Sequence, residues 1–165
     1  MEFVGKGREQ AGHTTEDEEL YRVLAVGDLP AAWLLTKAVM EKSKTEQLPY
    51  TTAFNCGLCL YRLEEYEKAL AELKRAEQSL GNPPDLDISE KKPFMQALSV
   101  TGEAAALLPL APGSGKRLER YGFLRVKWLM TLSLLRLGRQ QEAAAGIRFL
   151  RQYHIELQGK QDAIS

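Results

Sequence analysis

The chain has 165 residues, 44% hydrophobic and 27% charged, a composition that fits one folded domain and excludes a disordered, collagenous or coiled-coil chain. Twenty-two Lys and Arg balance 22 Asp and Glu, so overall charge points to neither nucleic acid nor a membrane surface. The most apolar stretch, Pro93 to Pro112, is broken by Gln96, Gly102, Glu103 and Pro109 and cannot cross a membrane. The first ten residues hold no apolar run of signal-peptide length, and cysteine use is sparse, so a cytoplasmic setting is expected.

Helical signals dominate and nothing alternates like a strand. Thr15 and Glu18 have capping-box spacing and open a first helix that stops near Gly27. A second follows Asp28 with Pro30 in its first turn, and Trp33, Leu34, Ala38 and Val39 are its expected buried face. Pro49 opens a third helix to about Leu63. A fourth runs from about Tyr66 to Leu80, ended by Gly81 and Pro83-Pro84. Asp87 and Glu90 suggest another capping box, with a fifth helix to about Leu108. A break at Pro109, Pro112, Gly113 and Gly115 precedes helices over about Lys116–Leu137 and Arg139–Tyr153. Tails over 1–13 and 158–165 are expected to be mobile. The fifth helix, apolar nearly all round from Pro93 to Leu108, should be buried on more than one side. It would lie along a groove beside Phe54 and Trp128, form a dimer contact, or pair with the sixth helix as a decayed hairpin.

The third and fourth helices form a 34-residue unit, Tyr50 to Pro83, carrying Gly57, Leu60, Leu63, Tyr66, Ala69, Leu73 and Ala76. Leu134, Leu137, Gly138, Ala143, Ile147 and Leu150 take equivalent places between Leu124 and Leu157. A weaker copy holds Val23, Val26, Gly27, Leu29, Ala32 and Val39. In this pattern the chain resembles the tetratricopeptide repeat (TPR) family. The resemblance implies an all-α fold of about seven helices, antiparallel pairs stacked as a short right-handed superhelix. Repeats fall near 13–46, 50–83 and 124–157, within a domain spanning 14–157, and a helical insertion occupies 84–123. Two departures from the family pattern are Leu20 and Thr131, where a small residue is usual.

Chemical motifs are poor. Cys56 and Cys59 spell CxxC inside a helix, with no histidine nearby to complete a zinc site, and read as packing residues. Gly113-Ser114-Gly115-Lys116 ends like a phosphate-binding loop, but Leu110 stands where the first glycine belongs and no strand precedes it. Neither His13 nor His154 lies in a catalytic motif. No catalytic residue, cofactor site or metal site is assigned, and the chain reads as non-enzymatic. Residues 1–90 hold 10 Lys and Arg against 17 Asp and Glu, and residues 91–165 hold 12 against 5. The basic half has no continuous stripe and the acidic half would repel a long polyanion, which argues against nucleic acid.

The family resemblance implies a concave groove lined by the first helix of each repeat. Transferred to this chain, it places Tyr21, Phe54, Asn55, Leu58, Tyr61 and Arg62 there, followed by Arg125, Trp128, Leu132 and Arg136. Exposed aromatics and arginines are typical anchors for a peptide or helix. Asn55 also matches the central asparagine of a subfamily that grips chaperone-tail carboxylates, but Asp17, Tyr21 and Leu129 break that pattern. A protein- or peptide-binding module is therefore expected. The alternative is a structural subunit or homodimer whose groove is filled by its own inserted helix, and a third reading is a small cytoplasmic chaperone.

Overall fold

The computed structural model describes residues 14–157, so both tails lie outside the described residues. Seven α-helices and two short 3-10 helices account for the regular structure among them, with no strand. Helices α1 (Thr15–Val26) and α2 (Leu29–Lys42) pair, as do α3 (Tyr50–Arg62) and α4 (Tyr66–Leu80), and α6 (Glu119–Arg136) and α7 (Gln140–Arg151). The pairs also pack on one another, α3 against α1, α2 and α6, and α4 against α6. Helix α5 (Ile88–Thr101) belongs to no pair.

The three pairs turn identically. Gly27, Glu64 and Gly138 all have positive φ, and each donates its N–H to the carbonyl three residues back. In each case the next N–H, of Asp28, Glu65 or Arg139, reaches five residues further back from itself, to Val23, Leu60 or Leu134. These are left-handed helix stops, which satisfy the last free carbonyls and reverse the chain. They lie 37 (64 − 27) and 74 (138 − 64) residues apart. In that register Ala32, Ala69 and Ala143 coincide, and all three are fully buried.

The closest crossings confirm why small residues stand where they do. A Cβ on Gly57 would lie 2.8 Å from Leu73 Cγ, so α3 meets α4 only because that atom is missing. Position 131, equivalent to 57, carries a threonine instead. Space is made on the facing helix: a Cβ on Gly146 would lie 2.0 Å from Thr131 Oγ1. The departure at Thr131 is thus compensated by a glycine the repeat does not otherwise contain.

Several boundaries differ from expectation. The first capping box uses Thr14 and Asp17: Thr14 N–H donates to Asp17 Oδ2 at 2.8 Å, and Asp17 N–H to Thr14 Oγ1 at 3.3 Å. Asp87 is the N-cap of α5 but makes no side-chain cap bond. On α2 the buried stripe is Ala32, Thr36 and Val39, while Trp33, Leu34 and Ala38 face outward, Leu34 at 68% exposure. The stripe follows the i, i+4, i+7 rule, and the largest apolar residues lie off it.

The fifth helix departs most. It ends at Thr101 because Gly102 turns to φ 75, and a 3-10 helix, Gly102–Leu107, takes its place. Only Leu98 of α5 is buried, while Ile88 and Val100 are exposed, so it is not enclosed on several sides. It is fastened at its start. Asp85 accepts from Lys91 at 2.9 Å and from the Tyr153 hydroxyl at 2.9 Å, and lies 3.4 Å from Arg120. Arg120 also donates to the Pro83 carbonyl, and Phe94 meets Tyr153 edge-on.

Two expectations follow. Gly146→Ala should destabilise by about 1–3 kcal/mol through overpacking, and Thr131→Ala should relieve most of it, which a denaturant double-mutant cycle measures. Lys91 first, then the Leu86 amide and Tyr153, hold the Asp85 carboxyl down to about 2 from its ordinary 3.8. A lowered carboxylate stabilises above its unfolded pKa and loses that contribution as pH falls through its folded one. The stability difference between wild type and Asp85→Asn should therefore be full above about pH 4 and vanish towards pH 2, followed by acid titration of tyrosine near-UV circular dichroism.

Candidate functional site

The first helices of the pairs, α1, α3 and α6, share one side of the stack, and residues 107–111 run over it. This segment, the strap, is extended from Leu108 (φ −86°, ψ 142°) because Pro109 and Pro112 disfavour helix at the residues before them. It travels antiparallel to α3, from Arg62 near the helix end past Asn55 to Tyr50 at its start.

Main-chain atoms hold it there. The Asn55 carboxamide donates through Nδ2 to the Leu110 carbonyl at 2.9 Å and accepts the Leu110 N–H through Oδ1 at 2.9 Å. Both groups are buried, so each bond satisfies an atom that water cannot reach. Arg62 donates to the Leu107 carbonyl at 2.6 Å, and Arg125 donates to the Leu108 carbonyl. Arg125 is 1% exposed, stacked 5.2 Å over the Phe54 ring and 5.5 Å over Tyr121, whose hydroxyl it also reaches at 3.1 Å. Burial pulls its pKa down, with the Tyr121 hydroxyl opposing. Its Nε finds no protein partner.

The structure divides the ten groove residues named from the sequence. Asn55, Arg62 and Arg125 touch the strap, Phe54 lies under Arg125, and Tyr21 lines a small cavity beside Leu108 to Ala111. Leu58 and Leu132 are buried in the core. Trp128, also buried, reaches a cleft of about 700 Å³ between α5 and the chain after α7. Tyr61 and Arg136 form a separate group with Tyr66, Tyr61 meeting that ring edge-on at 5.2 Å and Arg136 lying 6.0 Å from it. Tyr50 and Gly122 were not singled out from the sequence. A Cβ on Gly122 would lie 2.5 Å from Tyr50 Cε1, so the glycine lets that ring lie against α6, and burial, with Glu119, pushes its hydroxyl up to about 12.

The sequence pattern takes the fifth helix to about Leu108 and a flexible break from Pro109, whereas the structure holds both parts as the strap. The signal that marks it otherwise is its composition, since Leu107, Leu108 and Leu110 around a proline are out of place in a solvated loop. Beyond it, Gly113 and Gly115 have positive φ and Ser114 donates to the Ala111 carbonyl at 2.6 Å, so the glycine-rich segment closes a turn.

Cys56 and Cys59 are fully buried beside Thr36, and burial raises both, Cys56 well above its ordinary value, which keeps them as unreactive thiols. Among the described residues no group of three or more His, Cys, Asp or Glu is placed to hold a metal, and no helix is long and apolar enough to cross a membrane. Neither the family models, nor the curated proteins, nor the solved structures contain a match to the chain.

Two buried carboxyls, Glu72 and Asp17, lie near enough to raise the Cys56 thiol, and Glu72 has the larger effect. Glu72 is also the less well partnered of the two. It is 4% exposed, its Oε1 has no partner, and its nearest cation, Arg75, is 3.9 Å away. Burial raises its pKa, with Arg75 opposing. A raised pKa stabilises below the unfolded value and loses that contribution as pH rises through the folded one. Glu72→Gln should therefore raise the melting temperature at pH 7, with the gain shrinking as pH falls to 4.5, checked by thermal unfolding at both pH values.

Proposed function

We propose that the chain is a non-enzymatic, cytoplasmic interaction module of TPR-like hairpins whose concave face holds an extended polypeptide by its main chain. The observation that carries this reading is the two-point bond from Asn55 to both main-chain atoms of Leu110. A side-chain amide offered this way pairs with any extended residue that has an N–H, much as a sheet edge does. Arg62 and Arg125 add charge-assisted bonds to carbonyls, which favour a peptide over an apolar helix face.

A second reading is favoured by burial. Arg125 is 1% exposed and Leu110 is buried, as in a permanent core, so the groove would be filled for good and the chain would serve as a structural subunit. The Leu110 amide separates the two. If the groove opens to partners, this amide should exchange with deuterium on the order of 100-fold faster than those of Leu60 and Leu129 at the centre of the stack. Exchange only through global unfolding would establish the structural reading and end the first.

A further inference from the structure

We infer that the strap is an internal stand-in for the ligand, and that the partner is an extended apolar segment with a proline just before the clamped residue, which displaces it. This rests on the peptide-binding reading above. The strap is held mainly through its backbone. Only Leu110 among its five residues is buried, Leu107 and Pro109 are half-buried, and Leu108 is 47% exposed. Its bonds run from Arg62, Arg125 and Asn55 to carbonyls and one amide that any peptide possesses. Glycine turns stand on either side of it, Gly113 (φ 71) two residues beyond and Gly102 (φ 75) five residues before, at the start of the 3-10 helix that leads into the strap, and the chain can pivot there at small steric cost. In an empty, closed groove the buried Asn55 would lose both its partners and Arg125 would keep only the Tyr121 hydroxyl, so the site calls for an occupant whenever the strap leaves.

The strap's chemistry defines that occupant. The clamped residue must supply an N–H to Asn55 Oδ1, so it cannot be proline, and its side chain must be apolar to take the place of Leu110. The residue before it has no N–H in the strap, being Pro109, so a proline there leaves no donor unpaired. It also biases the preceding residue towards the extended form that Leu108 adopts. Two carbonyls further upstream meet the arginines. The class is therefore a neutral apolar-apolar-Pro-apolar segment, bound extended.

The test uses the full chain carrying Pro109→Gly and Leu110→Gly, which removes the strap's buried side chain and its fixed φ while keeping its length. A labelled Ala-Leu-Leu-Pro-Leu-Ala peptide, the sequence of residues 106–111, is titrated by fluorescence anisotropy. It should bind the opened chain at least tenfold more tightly than wild type. Adding Asn55→Ala should weaken it at least tenfold, and the same peptide with Leu110→Pro should not bind. A folded opened chain that ignores the peptide, or accepts the proline peptide equally, overturns the inference. If the opened chain does not fold, wild type decides: excess peptide should speed exchange of the Leu110 amide, and an unchanged rate sinks the proposal. A Leu110 amide that opens locally without peptide binding would remove this inference and leave the interaction reading intact. An amide that never opens locally would remove both.

Discussion

Everything on the strap's side of the stack depends on one constraint, the need to satisfy Asn55 and Arg125 away from water. Leucines there would bury without any partner, as Leu129, in the equivalent place on α6, does. An amide and a guanidinium are costly in such a place unless hydrogen-bonded. The strap supplies the acceptors and the donor, and in doing so it fixes the path of the whole insertion. The 3-10 helix must deliver Leu107 to Arg62, and Ser114 and the glycines must turn the chain to enter α6 at Glu119.

The stack beneath is indifferent to that insertion. Helix α4 packs directly on α6, and Lys127 pairs with Glu77 across the junction, although 38 residues separate the two helices (119 − 80 − 1). The turn spacing explains how this is possible. The first helix of each pair ends in the same left-handed stop, and the second and third stops are two spacings apart, so one repeat length of sequence has been given over to the strap and its supports. That length folds as a side branch tied down at Asp85 and again at Asn55.

Legibility followed the periodicity. Gly57 marks a close crossing because a side chain there would meet Leu73, and Ala69 and Ala143, at matching places in the repeat, are fully buried, as their small size and spacing convey. The helix ends at Gly27, Gly81 and Gly138 were visible for a similar reason. Failures came where a residue's role depends on a distant partner. Trp33 and Leu34 look like core, but α2 packs through the narrow stripe of Ala32, Thr36 and Val39, and nothing local announces that choice. Thr131 looked like a defect until Gly146 was seen opposite it. The resemblance put Asn55 among the groove residues, yet the main chain it holds lies 55 residues further along, within a stretch whose prolines suggest only a break.

The strap's grip is close to balance, and this links the fold to its use. Fixing five backbone residues costs on the order of 5–10 kcal/mol. Two neutral hydrogen bonds return about 1 kcal/mol each, and two from arginines about 1.5–3 each. A buried leucine adds about 2 kcal/mol. The terms nearly cancel, so the segment stays in place largely because it is tethered at both ends beside its site, at an effective concentration of millimolar order. A free peptide has no such advantage and must bind well on its own account to displace it. In the proposed displacement, selectivity would follow from the tether: a competing segment would have to satisfy Asn55 and both arginines, and one that missed a bond would not compete. Leucines in place of Asn55 and Arg125 would have closed the same face without this property.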